Sequence, residues 1–450
     1  MIENIYEQKS LYKLILIFGI PSILSLMIEM LTGIVDTAFA GNLPVLGDSA
    51  LSAMALITPV MAIFTALQTL FAMSTGILIA KYLNNRDHLY QSFYTGVIMS
   101  LVMSVTISLI CFLSLSLILR SLGATGSIYI MAKQYLQVQL INNIFSSVGY
   151  TLSCCIRAFG FPKIELRIIT VAVLIDIIFN YIFAFIFKMG LVGLAWGTLV
   201  SEIVCALCCI IFLFKKKLLF YKMSLSVRSF FFSAYELFKI GIAQTAIQVL
   251  GGCTGFVVNS RLLTLGSMSH LASFNVVQRI YSFALMPIVG ITQGVQNIIS
   301  YFSGNGADEK ISGVSKRTML LCSIYGVVTL FLIIIFGQDI VSIFGGSYEV
   351  LTMAKSIILA VFIGFPFVGI LYTDMTLLQV TKHEFTSVML ILSRQVFFLI
   401  PLVFIIPSLV GIFGLPVSPV IALFFSIPIA DLLSVIFAIL VKRKFCINSR

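Results

Sequence analysis

One carboxylate stands near the middle of an apolar helical run, Ile28 to Gly41 (IEMLTGIVDTAFAG): Asp36. An ionised acid at membrane depth costs roughly 2.5–3.5 kcal/mol on insertion scales, so it persists where it faces a cavity or a partner. Glu29 lies seven residues earlier, two helical turns away and within about 20° of the same face. A second run, VAVLIDIIFNYIF, carries Asp176 and Asn180 at i,i+4 spacing, which puts both side chains on one face. The next apolar run supplies Thr198 in GLAWGTLVSE. Two carboxylates, an amide and a hydroxyl in one place suit the binding of a proton or of Na⁺ through oxygen. Carboxylates held close repel each other, and either cation relieves that repulsion. Asp36, Asp176, Asn180 and Thr198 are therefore the cation-coupling candidates. The structural alternatives are a polar network joining the first, fifth and sixth spans and, for Glu29, a side chain reaching to the interface.

The second half of the chain offers fewer charges. Gln244 and Gln248 form another i,i+4 face, and Asp374 in FVGILYTDMTLLQ is an acid well inside an apolar run. With Glu29, these three are the substrate-binding candidates. Arg279 and Arg394 are expected to form packing or gating pairs, without a partner visible in sequence. Asp431, in PIADLLS, reads equally as a helix-packing group.

The elements that position these residues follow from composition. A mean hydropathy of +1.11 with only 10% charged residues excludes a soluble globular protein of 450 residues. Apolar runs predict twelve helical spans, near 14–40, 51–80, 92–118, 128–156, 166–187, 191–214, 236–262, 268–300, 317–337, 351–380, 385–407 and 416–441. The fold class is an all-α polytopic membrane protein. The longest polar interval, KKKLLFYKMSLSVRS from Lys215, predicts a cytoplasmic linker over 215–235 between six-helix lobes at 1–214 and 236–450. The halves resemble each other at a steady offset: Gly19-Ile20 on Gly241-Ile242, Ala50 on His270, and Lys163 and Asp176 on Lys382 and Gln395. That register lays Asp36 on Val258 and Asn259, so the second half has largely lost the acids. With an even number of spans in each half, the pseudo-two-fold axis runs along the membrane normal, with a substrate cavity between the halves. Nine prolines inside or beside spans, Pro21 in the first among them, favour kinks.

The net charge of +11 reports topology, not a nucleic-acid partner. By the loop assignment 21 of the 28 Lys and Arg, Arg157 among them, fall on one face, which the positive-inside rule makes cytoplasmic, with both termini. The first apolar run reads as a retained span and not as a cleaved signal. The nine cysteines suit packing better than disulfides or metal, since Cys205, Cys208 and Cys209 lie in an apolar span without a nearby His. No P-loop, dinucleotide fingerprint or HExxH occurs. The reading is of a transporter and not an enzyme, with no cofactor beyond a coupling H⁺ or Na⁺.

In GIPSILS from Gly19, VDTAFAG from Val35, RAFGFPK from Arg157 and MGLVGLAWGTLVSE from Met189, the chain resembles the multidrug and toxic compound extrusion (MATE) transporters of bacteria. MPIVGITQGVQNIISYFSG from Met286 and LLQVTKHEFTSVMLILSRQVFFLIPLVFIIP from Leu377 extend the resemblance over nearly the full length. It implies twelve helices in two lobes around a V-shaped cleft, and efflux of cationic, lipophilic compounds by alternating access in exchange for H⁺ or Na⁺. Asp36 matches the acid on the family's first helix, and Thr198 the polar position on the sixth. Many relatives carry Asn and then Asp on the fifth helix; here Asp176 and Asn180 reverse that order, moving the charge by one turn. Some relatives carry Glu on the seventh helix, where this chain has glutamines. The expected partners are small organic cations and membrane lipid, with the protein a monomer in the plasma (inner) membrane. A lipid-linked oligosaccharide or lipid flippase of the same superfamily is the alternative; it demands a cationic cavity for pyrophosphate.

Overall fold

The computed structural model describes residues 5–7, 9–44, 47–219, 226–343, 348–381, 383–413 and 418–448. Lys382 and the stretch 220–225 of the expected linker lie outside the described residues. Among those described there is helix and no strand. The chain divides into two compact units, Met1–Thr245 with Ser300–Ala307, and Ala246–Ile299 with Asp308–Arg450.

The first unit contains α1 (Leu11–Gly41), α2 (Gly47–Lys81), α3 (Arg86–Leu113) and the short α4 (Leu115–Ser121). It continues with α5 (Gly126–Ala158), α6 (Pro162–Tyr181) and α7 (Leu191–Lys215), and takes in the start of α8 (Val227–Leu265) and the end of α9 (Met268–Gly304). A π-helical turn, Ile182–Ile186, closes α6. The second unit holds the rest of α8 and α9, then α10 (Asp308–Ile343), α11 (Tyr348–Phe362), α12 (Phe365–Val380) and α13 (Glu384–Leu392). A second π-helical turn, Ser393–Leu399, leads into α14 (Ile400–Phe413), followed by α15 (Pro419–Phe424) and α16 (Ser426–Asn448).

Among the described residues ten helical stretches are long and apolar enough to cross a bilayer, and α11 with α12, bent by 49° at Ile363-Gly364, makes an eleventh. The bend falls where Pro366, without an N–H, opens α12. The twelfth expected span is α5. Its 33 residues are about 50 Å of helix, more than a bilayer needs, but its middle carries Gln134, Gln137, Gln139, Asn142 and Asn143. These amides are tolerated because α5 packs on α2, α3, α6 and α7. Asn143 Nδ2 donates to Ser108 Oγ at 3.0 Å and to Ser104 O at 3.3 Å, and its Oδ1 accepts from Gln68 Nε2 at 3.1 Å. Thr151 Oγ1 donates to Ser100 Oγ at 3.0 Å, and Ser108 Oγ to Leu140 O at 2.8 Å. Polar groups in lipid are stable only when paired within the bundle in this way. The outward faces are apolar, with Leu16, Ile20 and Leu24 on α1 and Leu101, Val105 and Leu109 on α3 exposed.

Two expectations need correction. The helix that follows the linker starts at Val227, not 236. Ser226 caps its start by accepting from Ser229 N at 3.1 Å, and Phe230, Phe231 and Phe232 follow within the first two turns. Arg157 is not a loop cation: it lies in the last turn of α5 and is buried, with 4% exposure.

Candidate ion-coupling site in the first unit

The site rests on a close approach of α6 and α7. Gly193 and Gly197, one turn apart, let the two backbones meet. A Cβ on Gly193 would come within 2.7 Å of the Phe183 backbone, and one on Gly197 within 2.6 Å of Asn180 N and 2.0 Å of its Oδ1. This contact, with α1 packed on the other side of α6, brings the candidate residues together.

Asn180 is the hinge of the arrangement. Its Nδ2 donates to Asp36 Oδ1 at 2.7 Å and to Asp176 Oδ2 at 3.1 Å, one N–H for each carboxylate. Ionised carboxylates only accept, so the amide must turn its NH₂ toward them, leaving Oδ1 against Gly197 without a donor. Ser201 Oγ lies 3.3 Å from Asp176 Oδ1. Thr198 lies beside Asp176 while its hydroxyl donates to Leu194 O at 3.1 Å, so an oxygen lone pair stays free for a cation. Asp176 and Asn180 are buried, and Asp36 is half-buried on α1. Among the described residues no Lys, Arg or His lies within ion-pair distance of Asp36 or Asp176. The four predicted coupling residues are thus assembled from three helices, with oxygen donors and an amide but no resident countercharge.

The remaining candidates fall elsewhere. Asp36 is not at the middle of its helix, because α1 runs only five residues further, to Gly41, where Asn42 caps it by donating to Ala38 O. Glu29 holds the more central position, about 10 Å along α1 from Asp36, and is exposed. Its charged neighbours are Glu165 and Arg157. Arg157 Nε is 3.4 Å from Glu165, while Nη1 donates to Ser22 Oγ at 3.2 Å and Nη2 to Cys154 Sγ at 3.3 Å. Glu202, on α7, feels the charge of both Glu29 and Asp176 and so lies between the two clusters. The sequence reading missed Glu202 and Ser201; the i,i+4 spacing of Thr198 and Glu202 was the available signal.

Gln244 is half-buried in the first unit. Gln248 lines a cavity of about 430 Å³ in the second. Asp374 is buried on α12, away from that cavity's wall. Arg394 finds its partner 37 residues away, its Nε 2.7 Å from Asp431 Oδ1. Arg279 is exposed.

The chain is 27% identical to the multidrug export protein MepA of Staphylococcus saprophyticus over 423 residues, covering 93% of this chain and 92% of that one. It is 27% identical to the MepA of Staphylococcus aureus over 431 residues, with the same coverage. Its fold matches the VcmN MATE transporter of Vibrio cholerae with a TM-score of 0.89, at 17% identity and 98% coverage of both chains. An outward-facing multidrug resistance MATE transporter of the MOP superfamily gives a TM-score of 0.88, at 19% identity and 97% and 96% coverage. The MatE family model matches twice, at residues 21–182 and 243–405, so its second copy starts 222 residues after the first, within a few residues of the internal repeat seen in sequence. Matched over both halves, this chain belongs to the MatE family.

Proposed function

We propose that the protein is a cation-coupled antiporter that exports cationic, lipophilic compounds from the cell by alternating access. Its curated relatives over nearly the whole length are multidrug export proteins. The observation that carries the coupling is Asn180 donating to Asp36 on α1 and to Asp176 on α6 at once. A proton or Na⁺ arriving there competes with the amide for carboxylate oxygens, and so bears on how α1 is held to α6. Pro21 leaves α1 one backbone hydrogen bond short and gives it a place to bend when that hold changes. An organic cation finds in the same acids the countercharge that the coupling ion would cancel, so the two exclude each other.

The energetics suffice. One charge crossing about 100 mV supplies roughly 2.3 kcal/mol, and one pH unit about 1.4 kcal/mol. Together they sustain about a 500-fold substrate gradient at about 1.4 kcal/mol per tenfold. In this reading both termini are cytoplasmic and the protein acts as a monomer in the plasma membrane. The flippase alternative calls for cationic residues where this site is acidic.

The test is efflux of a cationic dye from reconstituted vesicles, with pH and Na⁺ gradients imposed separately. Export that collapses with one gradient identifies the coupling ion. Equal export with neither gradient refutes the antiporter.

A further inference from the structure

In the second unit, neutral residues stand at the register positions of the first unit's acids. The internal register lays Asp36 on Val258 and Asn259, and Asp176 on Gln395; all three of these residues line the 430 Å³ cavity. Gln395 Oε1 accepts from Thr254 Oγ1 at 2.7 Å, so its amide is held in place at that wall. Beside it, in the π-helical turn, stands Arg394, and among the described residues no carboxylate lines the cavity.

The guanidinium is both anchored and available. Its Nε–H goes to Asp431 Oδ1 at 2.7 Å, behind the wall, and Nη2 lies 3.5 Å from Tyr281 Oη. Of five N–H donors three are left, both of those on Nη1 and one on Nη2, and the Nη1–Nη2 edge is one that grips a planar carboxylate with two parallel bonds. Asp431 fixes the orientation from the opposite side, as a preformed site requires. Gln248, Asn259 and Gln278 add carboxamides around the wall. The space itself comes from α8, where Gly251, Gly252 and Gly255 line the cavity and a Cβ on any of them would meet nothing within 4 Å. At 430 Å³ it falls within the range of small-molecule sites.

We infer that this cavity is a binding site for a small organic anion, its carboxylate on the outer edge of Arg394 and its other polar atoms on the surrounding carboxamides. The site is separate from the acidic site of the first unit and stands whether or not the antiporter reading does. Its ligand carries the opposite charge, so a zwitterion or an anion enters the range of compounds the protein handles.

The test is equilibrium binding of benzoate, benzamide and benzylammonium to the purified full-length protein in detergent. Benzoate binds saturably, and isosteric, uncharged benzamide binds at least tenfold more weakly. Gly255→Leu projects a side chain into the cavity from a position whose Cβ meets nothing within 4 Å, and lowers benzoate affinity at least tenfold while the protein stays folded. Arg394→Gln does the same if it folds; Gly255→Leu serves where the unpaired Asp431 prevents that. Asp36→Asn leaves benzoate binding intact, which separates this site from the acidic one. No saturable benzoate binding, equal binding of benzamide, or full benzoate affinity in Gly255→Leu overturns the inference.

Discussion

Replacing Gly197 with alanine tests the bridging role of Asn180 without altering any polar group. The added Cβ would lie 2.0 Å from Asn180 Oδ1 and 2.6 Å from Asn180 N, against about 3.4 Å for ordinary contact. The oxygen must therefore retreat by about 1.4 Å, and because backbone is also struck, α6 and α7 must part by about 0.8 Å. Overpacking of this kind costs about 1–3 kcal/mol. The amide bonds to Asp36 and Asp176, now 2.7 and 3.1 Å, move out of range together; each charged hydrogen bond is worth about 1.5–3 kcal/mol. Gly193→Ala is the matched control: its Cβ strikes the Phe183 and Ala184 backbone at 2.7–2.9 Å, one turn from Asn180. Both variants should inactivate at lower temperature in detergent. Of these two only Gly197→Ala should lose ion-driven dye export in vesicles, by at least tenfold, and Asn180→Ala should do the same. Tenfold corresponds to about 1.4 kcal/mol, well below the contribution of the two bonds. Export with unchanged ion dependence in Gly197→Ala, or an equal loss in Gly193→Ala, would refute the bridging role.

Asp36→Asn should abolish gradient-driven export while the protein still purifies as a folded species; export at the parental rate discards the mechanism. Glu202→Gln, between the two acidic clusters, should slow export without changing which ion drives it, read from vesicle rates under separate gradients. Arg394→Ala leaves Asp431 buried and unpaired, at a cost of about 3–5 kcal/mol; the temperature of thermal inactivation should fall steeply and recover in part when Asp431→Asn is added. Tyr6→Phe removes a buried hydroxyl that donates to Ala158 O at 2.8 Å, a loss of about 1 kcal/mol measurable by the same assay.

Spans and the grouping of the candidate residues were legible because both follow from local rules: apolar length marks a crossing, and i,i+4 spacing marks a shared face. Asp36, Asp176, Asn180 and Thr198 needed only the further premise that acids in lipid seek company. What escaped was set by contacts distant in sequence. Arg394 and Asp431 are 37 residues apart, and nothing local announces their pairing. Arg157 read as a loop cation because its partners Ser22 and Glu165 come from other helices. Asp36 lies nearer the end of α1 than its middle because the helix begins well before the run Ile28 to Gly41, at Leu11, and stops at Gly41, where Asn42 caps the last turn. The π-helical turns at Ile182–Ile186 and Ser393–Leu399 have no signature in residue pattern.

The polar middle of α5 constrains how the protein is made. Gln139 and Asn142 find partners within α5, in Tyr135 and in each other, but Asn143 would enter lipid without one if the segment entered alone. Its partners, Gln68 on α2 and Ser104 and Ser108 on α3, are synthesised earlier. During biogenesis α5 is therefore expected to wait at the insertion machinery until those helices can receive it. Substitutions on the receiving side, such as Ser108→Val, should then appear as faulty insertion of a helix they do not belong to.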